Sequence, residues 1–147
     1  MIIAVGSDHA GYIMKSDVVS WLQTMGYQVL DMGCTNDRDS VDYPLFAEKV
    51  AKAVISGDAV YGVLVCGTGI GMSITANKIP GIRAALCGET FSAHASRAHN
   101  DANILVLGAR VIGSGLAREI LEAFLSADFE GGRHQNRINL IKMLEND

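Results

Sequence analysis

Short apolar runs alternate along the chain with longer segments whose apolar positions recur at helical spacing. Five runs have the length and composition of buried strands: 2–5, 27–32, 60–65, 82–86 and 103–107. The periodic segments between and after them predict helices at about 12–25, 44–56, 72–77, 90–98, 114–126 and 133–144. This order of strands and helices indicates right-handed β-α-β crossovers.

The alternation predicts an α/β fold: a single-domain, doubly wound, Rossmann-like sheet of five parallel strands with helices on both faces. We expect the strand order 2-1-3-4-5 and one domain over residues 1–147, with a C-terminal helix at about 133–144. Ligands of such sheets bind at the carboxyl ends of the strands, near the switch point, which here lies between strands 1 and 3. Asp8 and His9, which follow strand 1, are therefore expected beside the loop that follows strand 3.

Composition narrows the class of protein. The chain has 147 residues, of which 49% are hydrophobic and 19% charged, enough for one full core. A net charge of -4 argues against broad nucleic-acid binding, and no apolar stretch approaches the roughly 18 residues that a membrane span needs. Three cysteines without a C-x-x-C pair favour neither a disulfide framework nor a zinc knuckle. We expect a cytoplasmic protein that binds neither nucleic acid nor a membrane.

The run Cys-Gly-Thr-Gly-Ile-Gly at 66–71 directly follows the third predicted strand. Glycines at alternate positions let a backbone turn sharply with its N–H groups inward, a geometry that suits an anion or a developing oxyanion. Cys66 heads this loop, where a following helix would favour its thiolate, so it is a candidate base or nucleophile. The alternatives are a simple tight turn and a buried structural thiol. The glycine spacing and Met72 exclude a Walker A loop, a dinucleotide fingerprint and a cysteine-phosphatase loop.

Other polar residues allow both a functional and a structural interpretation. His9 could contact a ligand or only its neighbours, and His99 could act in acid–base chemistry or stabilise a helix terminus. Arg133 and Arg137, one turn apart at the start of the last helix, suit a phosphate, although a solvated basic face is the alternative. Tyr43 could line the crevice or simply pack on the loop, and Arg110 could be a third anion contact or a surface charge. The remaining histidines are expected to be solvated: His94 and His134.

Several segments, taken together, closely resemble the type B ribose-5-phosphate isomerases, whose family also contains allose-6-phosphate and galactose-6-phosphate isomerases. The resemblance covers essentially the whole chain, with matching order and spacing, at 7–11, 66–73, 77–78, 83–84, 99–103 and 108–110. It implies interconversion of ribose 5-phosphate and ribulose 5-phosphate through a cis-enediol, with no metal or organic cofactor. One branch of the family has serine in place of the cysteine and a glutamate base, but Cys66 and Thr75 place this chain with the cysteine branch.

The resemblance also implies a role for each candidate residue. Cys66 would move a proton between C2 and C1, His99 would open the furanose ring with help from Thr68, and Asp8 would help protons move between the sugar oxygens. The phosphate would be held by three of the substrate-binding residues, namely His9, Arg133 and Arg137. The full expected set of binding residues is His9, Tyr43, Gly67, Gly69, Ile70, Gly71, Asn100, Arg110, Arg133 and Arg137.

Assembly and substrate size are the points that the resemblance leaves open. Family members are homodimers, or tetramers of dimers, whose sites lie at the dimer interface and use residues of both subunits. A six-carbon sugar phosphate, such as allose 6-phosphate or galactose 6-phosphate, is the alternative substrate. Outside the family, a non-catalytic phosphate- or nucleotide-binding sensor and an NAD-dependent enzyme are the competing hypotheses, and the glycine spacing disfavours the latter.

Overall fold

Strands and helices alternate through the chain in a computed structural model that describes residues 1–146. In chain order they are β1 (Ile2–Ser7), α1 (Tyr12–Thr24), β2 (Gln28–Asp31), α2 (Tyr43–Ser56), β3 (Tyr61–Cys66), α3 (Ile70–Ala76), β4 (Ala84–Leu86), α4 (Thr90–Ala98), β5 (Ile104–Gly108), α5 (Ser114–Leu125) and α6 (Arg133–Leu144). Every predicted element is present, and its ends differ from the prediction by two residues at most.

The strands form one parallel sheet in the order β2-β1-β3-β5-β4. The predicted fold class is confirmed, but the predicted order 2-1-3-4-5 is wrong in its last two positions. All five residues of β5 are buried, so this strand lies inside the sheet, between β3 and β4. The three residues of β4 are half-buried or exposed and form the edge. A central strand of a parallel sheet is covered on both faces, and the flanking helices cover β5 in this way but leave β4 partly open.

Helices cover both faces of the sheet. On one face, α1 and α5 bury apolar side chains such as Val18, Leu22 and Phe124 against β1, β3 and β5. On the other face, α2 and α3 bury side chains such as Val50 and Met72. The crossover from β2 to β3 passes over β1, so the connections from β1 and β3 leave in opposite directions along the sheet. A crevice opens between them at the carboxyl edge.

The last helix, α6, leaves most of its apolar side chains uncovered. Only His134 and Ile138 of this helix are buried, whereas Leu140, Met143 and Leu144 are 64%, 63% and 72% exposed. Beyond the end of α6, the side chain of Glu145 accepts a hydrogen bond from the Gly81 N–H at 2.9 Å. No helix in the described part of the chain is long and apolar enough to cross a membrane.

Two arginines share the carboxylate of Asp101 between α4 and β5. Arg97 Nη1 and Arg83 Nη2 donate to it at 2.8 and 3.1 Å. Arg97 is buried, its other terminal nitrogen donates to the hydroxyl of Tyr61 at 2.9 Å, and its guanidinium lies 4.6 Å from the centre of that ring. Asp101 adopts a φ of 46°, a conformation that aspartate and asparagine tolerate better than most residues. A buried cation depends on this one carboxylate.

Replacing Asp101 by Asn should therefore destabilise the fold. Asparagine keeps the size and the backbone preference but removes the negative charge, so the buried Arg97 loses its counter-ion. Because Asp101 is itself partly exposed, we expect a modest loss of about 1–2 kcal/mol in the free energy of unfolding, measured with urea. Asp37→Asn, in an exposed loop, is the control and should change it by less than about 0.5 kcal/mol. Equal stability of the two variants would show that the ion pairs contribute nothing.

Candidate active site

An open cleft of about 490 Å³ lies at the carboxyl edge of the sheet, where the connections from β1 and β3 diverge. It is lined by Asp8, His9, Ala10, Tyr43, Cys66, Gly67, Thr68, Ile70, Gly71, Ile74 and Arg110. A larger cavity of about 690 Å³ lies between the β4 edge and α6 and includes Asn100, but neither a thiol nor an imidazole lines it. The smaller cleft is therefore the one that combines a thiol, an imidazole and a carboxylate.

The glycine loop holds the thiol of Cys66 at the base of this cleft. Cys66 is the last residue of β3 and is 5% exposed, and its Sγ accepts a hydrogen bond from the Gly69 N–H at 3.1 Å. Gly69 has a φ of 80°, and a Cβ at this position would lie 2.4 Å from Leu86 Cδ1. A side chain is therefore excluded here on two grounds, backbone conformation and space. The loop keeps a backbone N–H directed at the sulfur.

The end of β5 supports the same loop from the side. The N–H groups of Ala109 and Arg110 donate to the carbonyl oxygens of Cys66 and Gly67, both at 2.9 Å. Thr68 Oγ1 accepts from the Ile70 N–H at 3.2 Å, so its hydroxyl proton is free to be donated elsewhere. These bonds fix the loop against the sheet and bring Arg110 to the rim of the cleft.

Asp8 and His9 form the opposite wall. Asp8 is 6% exposed, and its Oδ1 accepts from the Gly11 N–H at 3.0 Å. His9 Nδ1 accepts from the Val41 N–H at 3.2 Å. An imidazole that accepts at Nδ1 carries its proton at Nε2, so His9 presents an N–H donor suited to an anionic oxygen.

Tyr43, the first residue of α2, packs against the glycine loop and lines the cleft. A Cβ at Gly71 would lie 2.5 Å from Tyr43 Cζ, so the ring approaches the loop backbone directly. The two interpretations of Tyr43, lining the crevice and packing on a loop, are thus not exclusive, because the ring does both. Tyr43 is 40% exposed and thus has its other side open to a ligand.

Of the predicted site residues, Gly69 belongs to the glycine loop and donates to Cys66, but it does not itself line the cleft. Four others lie away from the cleft: His99, Asn100, Arg133 and Arg137. The topology explains why. Helix α4 starts after the carboxyl end of β4 and ends before β5 begins, so His99 lies at the amino edge of the sheet. Cys66 pairs with Gly108 at the end of β5, and four residues of strand, about 13 Å, separate that level from Ile104 at its start. Within one chain, the predicted site is divided between two opposite edges.

The group at the amino edge includes two residues that sequence reasoning did not assign to it, Glu130 and His134. The Glu130 N–H donates to the Ala98 carbonyl at 3.0 Å, which brings the start of α6 to the end of α4. The rings of His99 and His134 stack at a centroid distance of 4.5 Å, and Glu130 Oε2 lies 3.8 Å from His99 Nε2 and 3.4 Å from His134 Nε2. The four-residue spacing of Glu130 and His134 was the available sequence signal.

The prediction that His134 is solvated is wrong, because the residue is only 6% exposed and its ring stacks on that of His99. Burial lowers the pKa of His134, and the positive charges of His99 and Arg133 lower it further, while Glu130 opposes the shift. The imidazole is thus kept neutral over a wider pH range than a free one. His94, in contrast, is exposed as predicted.

The sequence pattern of the Ribose/Galactose Isomerase family matches residues 3–141 of this chain. The chain belongs to that family. It is a sugar phosphate isomerase, and the predicted class of aldose–ketose isomerase is confirmed.

Individual members of the family are similar over nearly the whole length of the chain. Ribose-5-phosphate isomerase B of Escherichia coli (strain K12) is 49% identical over 143 residues, which are 97% of this chain and 95% of the relative. D-erythrulose-4-phosphate isomerase of Pectobacterium atrosepticum is 43% identical over 143 residues, which are 97% of this chain and 94% of the relative. A solved structure of ribose-5-phosphate isomerase B from Clostridium thermocellum superposes with a TM-score of 0.98 at 51% identity, covering 99% of this chain and 98% of the other.

The three thiols of this isomerase differ in their surroundings, and alkylation should distinguish them. Burial raises the pKa of Cys87 to about 11, so at pH 8 only roughly one Cys87 in a thousand is a thiolate. Cys34 donates to the Asn36 carbonyl at 3.3 Å and lies outside the cleft. We expect iodoacetamide to modify Cys66 first and Cys87 last, as measured by peptide mass spectrometry.

The same reaction in urea provides the control, since all three thiols should react at similar rates once the chain is unfolded. Modification of Cys87 as fast as Cys66 in the folded protein would contradict the burial argument.

Proposed function

We propose that this isomerase interconverts ribose 5-phosphate and ribulose 5-phosphate through a cis-enediol, with Cys66 as the base. The observation that carries the proposal is the Cys66 thiol, which meets a backbone N–H donor inside an open cleft at the carboxyl edge of the sheet. We further propose that the chain acts as one domain in the cytoplasm. Its three free cysteines are compatible with a reducing compartment.

The reaction needs a base that removes a proton from C2, and hydrogen-bond donors that stabilise the negative charge on the enediolate oxygen. The Cys66 thiolate removes the proton from C2 of the open-chain aldose, and the same sulfur returns it to C1, while a proton passes from the C2 oxygen to the C1 oxygen. Asp8, which lines the same cleft, would assist that second transfer. The Gly69 N–H stabilises the negative sulfur, and the remaining loop N–H groups are suited to the enediolate oxygen.

Ring opening and phosphate binding require the residues at the other edge of the sheet. We propose that a second copy of the chain brings its His99, Asn100, Arg133 and Arg137 to the cleft of the first, in a homodimer or a tetramer built from such dimers. The parallel strands keep these residues away from Cys66 of their own chain. The exposed apolar side chains of α6, next to two of them, provide a surface suited to burial between subunits.

Removing the sulfur should abolish catalysis but not binding. Cys66→Ala deletes the base while leaving the loop backbone in place, so we expect kcat for ribose 5-phosphate to fall by about two to four orders of magnitude. The Kd for the sugar phosphate, measured by calorimetry, should remain near that of the unchanged protein. Cys34→Ser, a similar thiol outside the cleft, is the control and should retain full activity. Unchanged turnover of Cys66→Ala would eliminate the cysteine base.

Subunit complementation tests the composite site. Cys66→Ala and His99→Asn chains should each be nearly inactive alone. When they are coexpressed in equal amounts, random pairing makes half of the dimers mixed, and each mixed dimer contains one site with both residues intact, so about a quarter of full activity should return. A site formed within one chain would give no recovery.

Substrate length is the second question for this site, because the family description names both ribose and galactose and one relative is named for a four-carbon phosphate. The spacing between Cys66 and the phosphate-binding arginines sets the preferred length. We expect kcat/KM to be highest for ribose 5-phosphate among four-, five- and six-carbon sugar phosphates, since discrimination is defined by that ratio. A higher value for allose 6-phosphate or galactose 6-phosphate would assign the chain to the six-carbon branch.

A further inference from the structure

The imidazoles and carboxylate at the amino edge converge on one small volume. The metal-ligating atoms of His99, Glu130 and His134 all lie within 4.8 Å of one another. Two imidazoles and one carboxylate are a donor set that zinc uses with a fourth position left open. Neither the predicted proton transfer at Cys66 nor the predicted phosphate site uses Glu130 or His134.

His134 supplies a second, independent observation. Its side chain is 8% exposed, and its Nε2 is buried, yet this atom makes no hydrogen bond. It lies 3.4 Å from Glu130 Oε2, but the alignment of the two groups does not satisfy the nitrogen. Buried polar atoms without partners are rare in folded proteins because leaving them unpaired costs free energy. A ligand between the imidazole and the carboxylate would remove this cost.

We propose that His99, Glu130 and His134 form an inhibitory site for a divalent transition-metal ion with the preferences of Zn²⁺. Tetrahedral coordination at about 2.0–2.1 Å places ligand atoms roughly 3.4 Å apart. The pair His134 and Glu130 already has this separation, and the pair His99 and Glu130 exceeds it by a few tenths of an ångström.

Binding requires one movement, because the two imidazole rings are nearly parallel, with an interplanar angle of 12°. Lone pairs in two parallel rings do not point at a common ion. His134 is fixed by burial, whereas the side chains of His99 and Glu130 are 43% and 54% exposed and can rotate. The ion therefore tilts His99 out of the stack and holds it by the nitrogen that would otherwise exchange protons.

The local charge sets the strength of the site. Arg133 and Arg137 are close enough to influence the titration of His134, and they oppose a cation. Glu130 offsets part of this repulsion, and the open coordination position can accept water or an anion. We thus expect a site that binds reversibly and removes His99 from ring opening. The inhibitory effect rests on the proposed function, whereas metal binding itself does not.

The binding arm of the test uses calorimetry with Zn²⁺ and visible absorption with Co²⁺. It is done on the full chain in a Cys66→Ser background, so that the cleft thiolate cannot act as a ligand. We expect one ion per chain, with a Co²⁺ spectrum free of thiolate charge-transfer bands. Glu130→Gln, at an exposed position, and His134→Gln should each raise the Kd by on the order of 100-fold. His94→Gln, the matched control on the surface, should leave it unchanged.

The activity arm uses chains with Cys66 intact. Zn²⁺ should inhibit the isomerase, and Glu130→Gln should raise the inhibitory concentration by a factor similar to its effect on Kd. Absence of binding, or equal Kd values for Glu130→Gln and His94→Gln, would overturn the metal site. Binding at the cluster without inhibition would overturn the inhibitory role. A chain without isomerase activity would refute the proposed function, while the binding arm would still decide the metal site.

Discussion

The common direction of the five strands is the constraint on which the arrangement of this enzyme depends. In a parallel sheet, every strand carboxyl end lies at one edge, and every helix returns the chain to the other. Residues that follow strands, such as Asp8, Cys66 and Arg110, therefore collect in one cleft. Residues that follow helices, such as His99 and those preceding α6, collect at the amino edge. Whether a residue follows a strand or a helix in the sequence therefore predicts the edge of the sheet at which it lies.

Close backbone packing fixes the geometry of the glycine loop, residues 66–71, in this cleft. The glycine loop fits between β5, the end of β4 and the ring of Tyr43, and side chains at Gly69 or Gly71 would collide with these neighbours. The loop is further fixed by hydrogen bonds from Ala109 and Arg110. The donor to the Cys66 sulfur is thus preorganised before any substrate enters, and this is the condition under which such donors contribute most to catalysis.

Much of the fold and half of the site could be predicted from the sequence. Apolar runs and helical periods mark every element, and the motif at 66–71 identifies the loop that lies in the cleft with Cys66. The order of β4 and β5 could not be predicted in this way, because both are short apolar runs and only the packing of flanking helices decides which one is covered on both faces. The burial of His134 could not be predicted either, because it comes from stacking on His99, a contact between distant segments of the chain.

The division of the predicted residues between two edges gives a physical reason for assembly. A single chain exposes Leu140, Met143 and Leu144 on α6 and leaves the Cys66 cleft without the arginines expected to hold a phosphate. In the proposed assembly, the amino edge of one chain meets the carboxyl edge of another. This contact would bury the exposed apolar side chains of α6 and bring Arg133 and Arg137 towards the Cys66 thiol. In the proposed two-fold dimer this contact would occur twice, so one pairing would bury the apolar side chains of α6 and complete both sites. The proposed mechanism therefore requires the association of chains as directly as it requires the sulfur of Cys66.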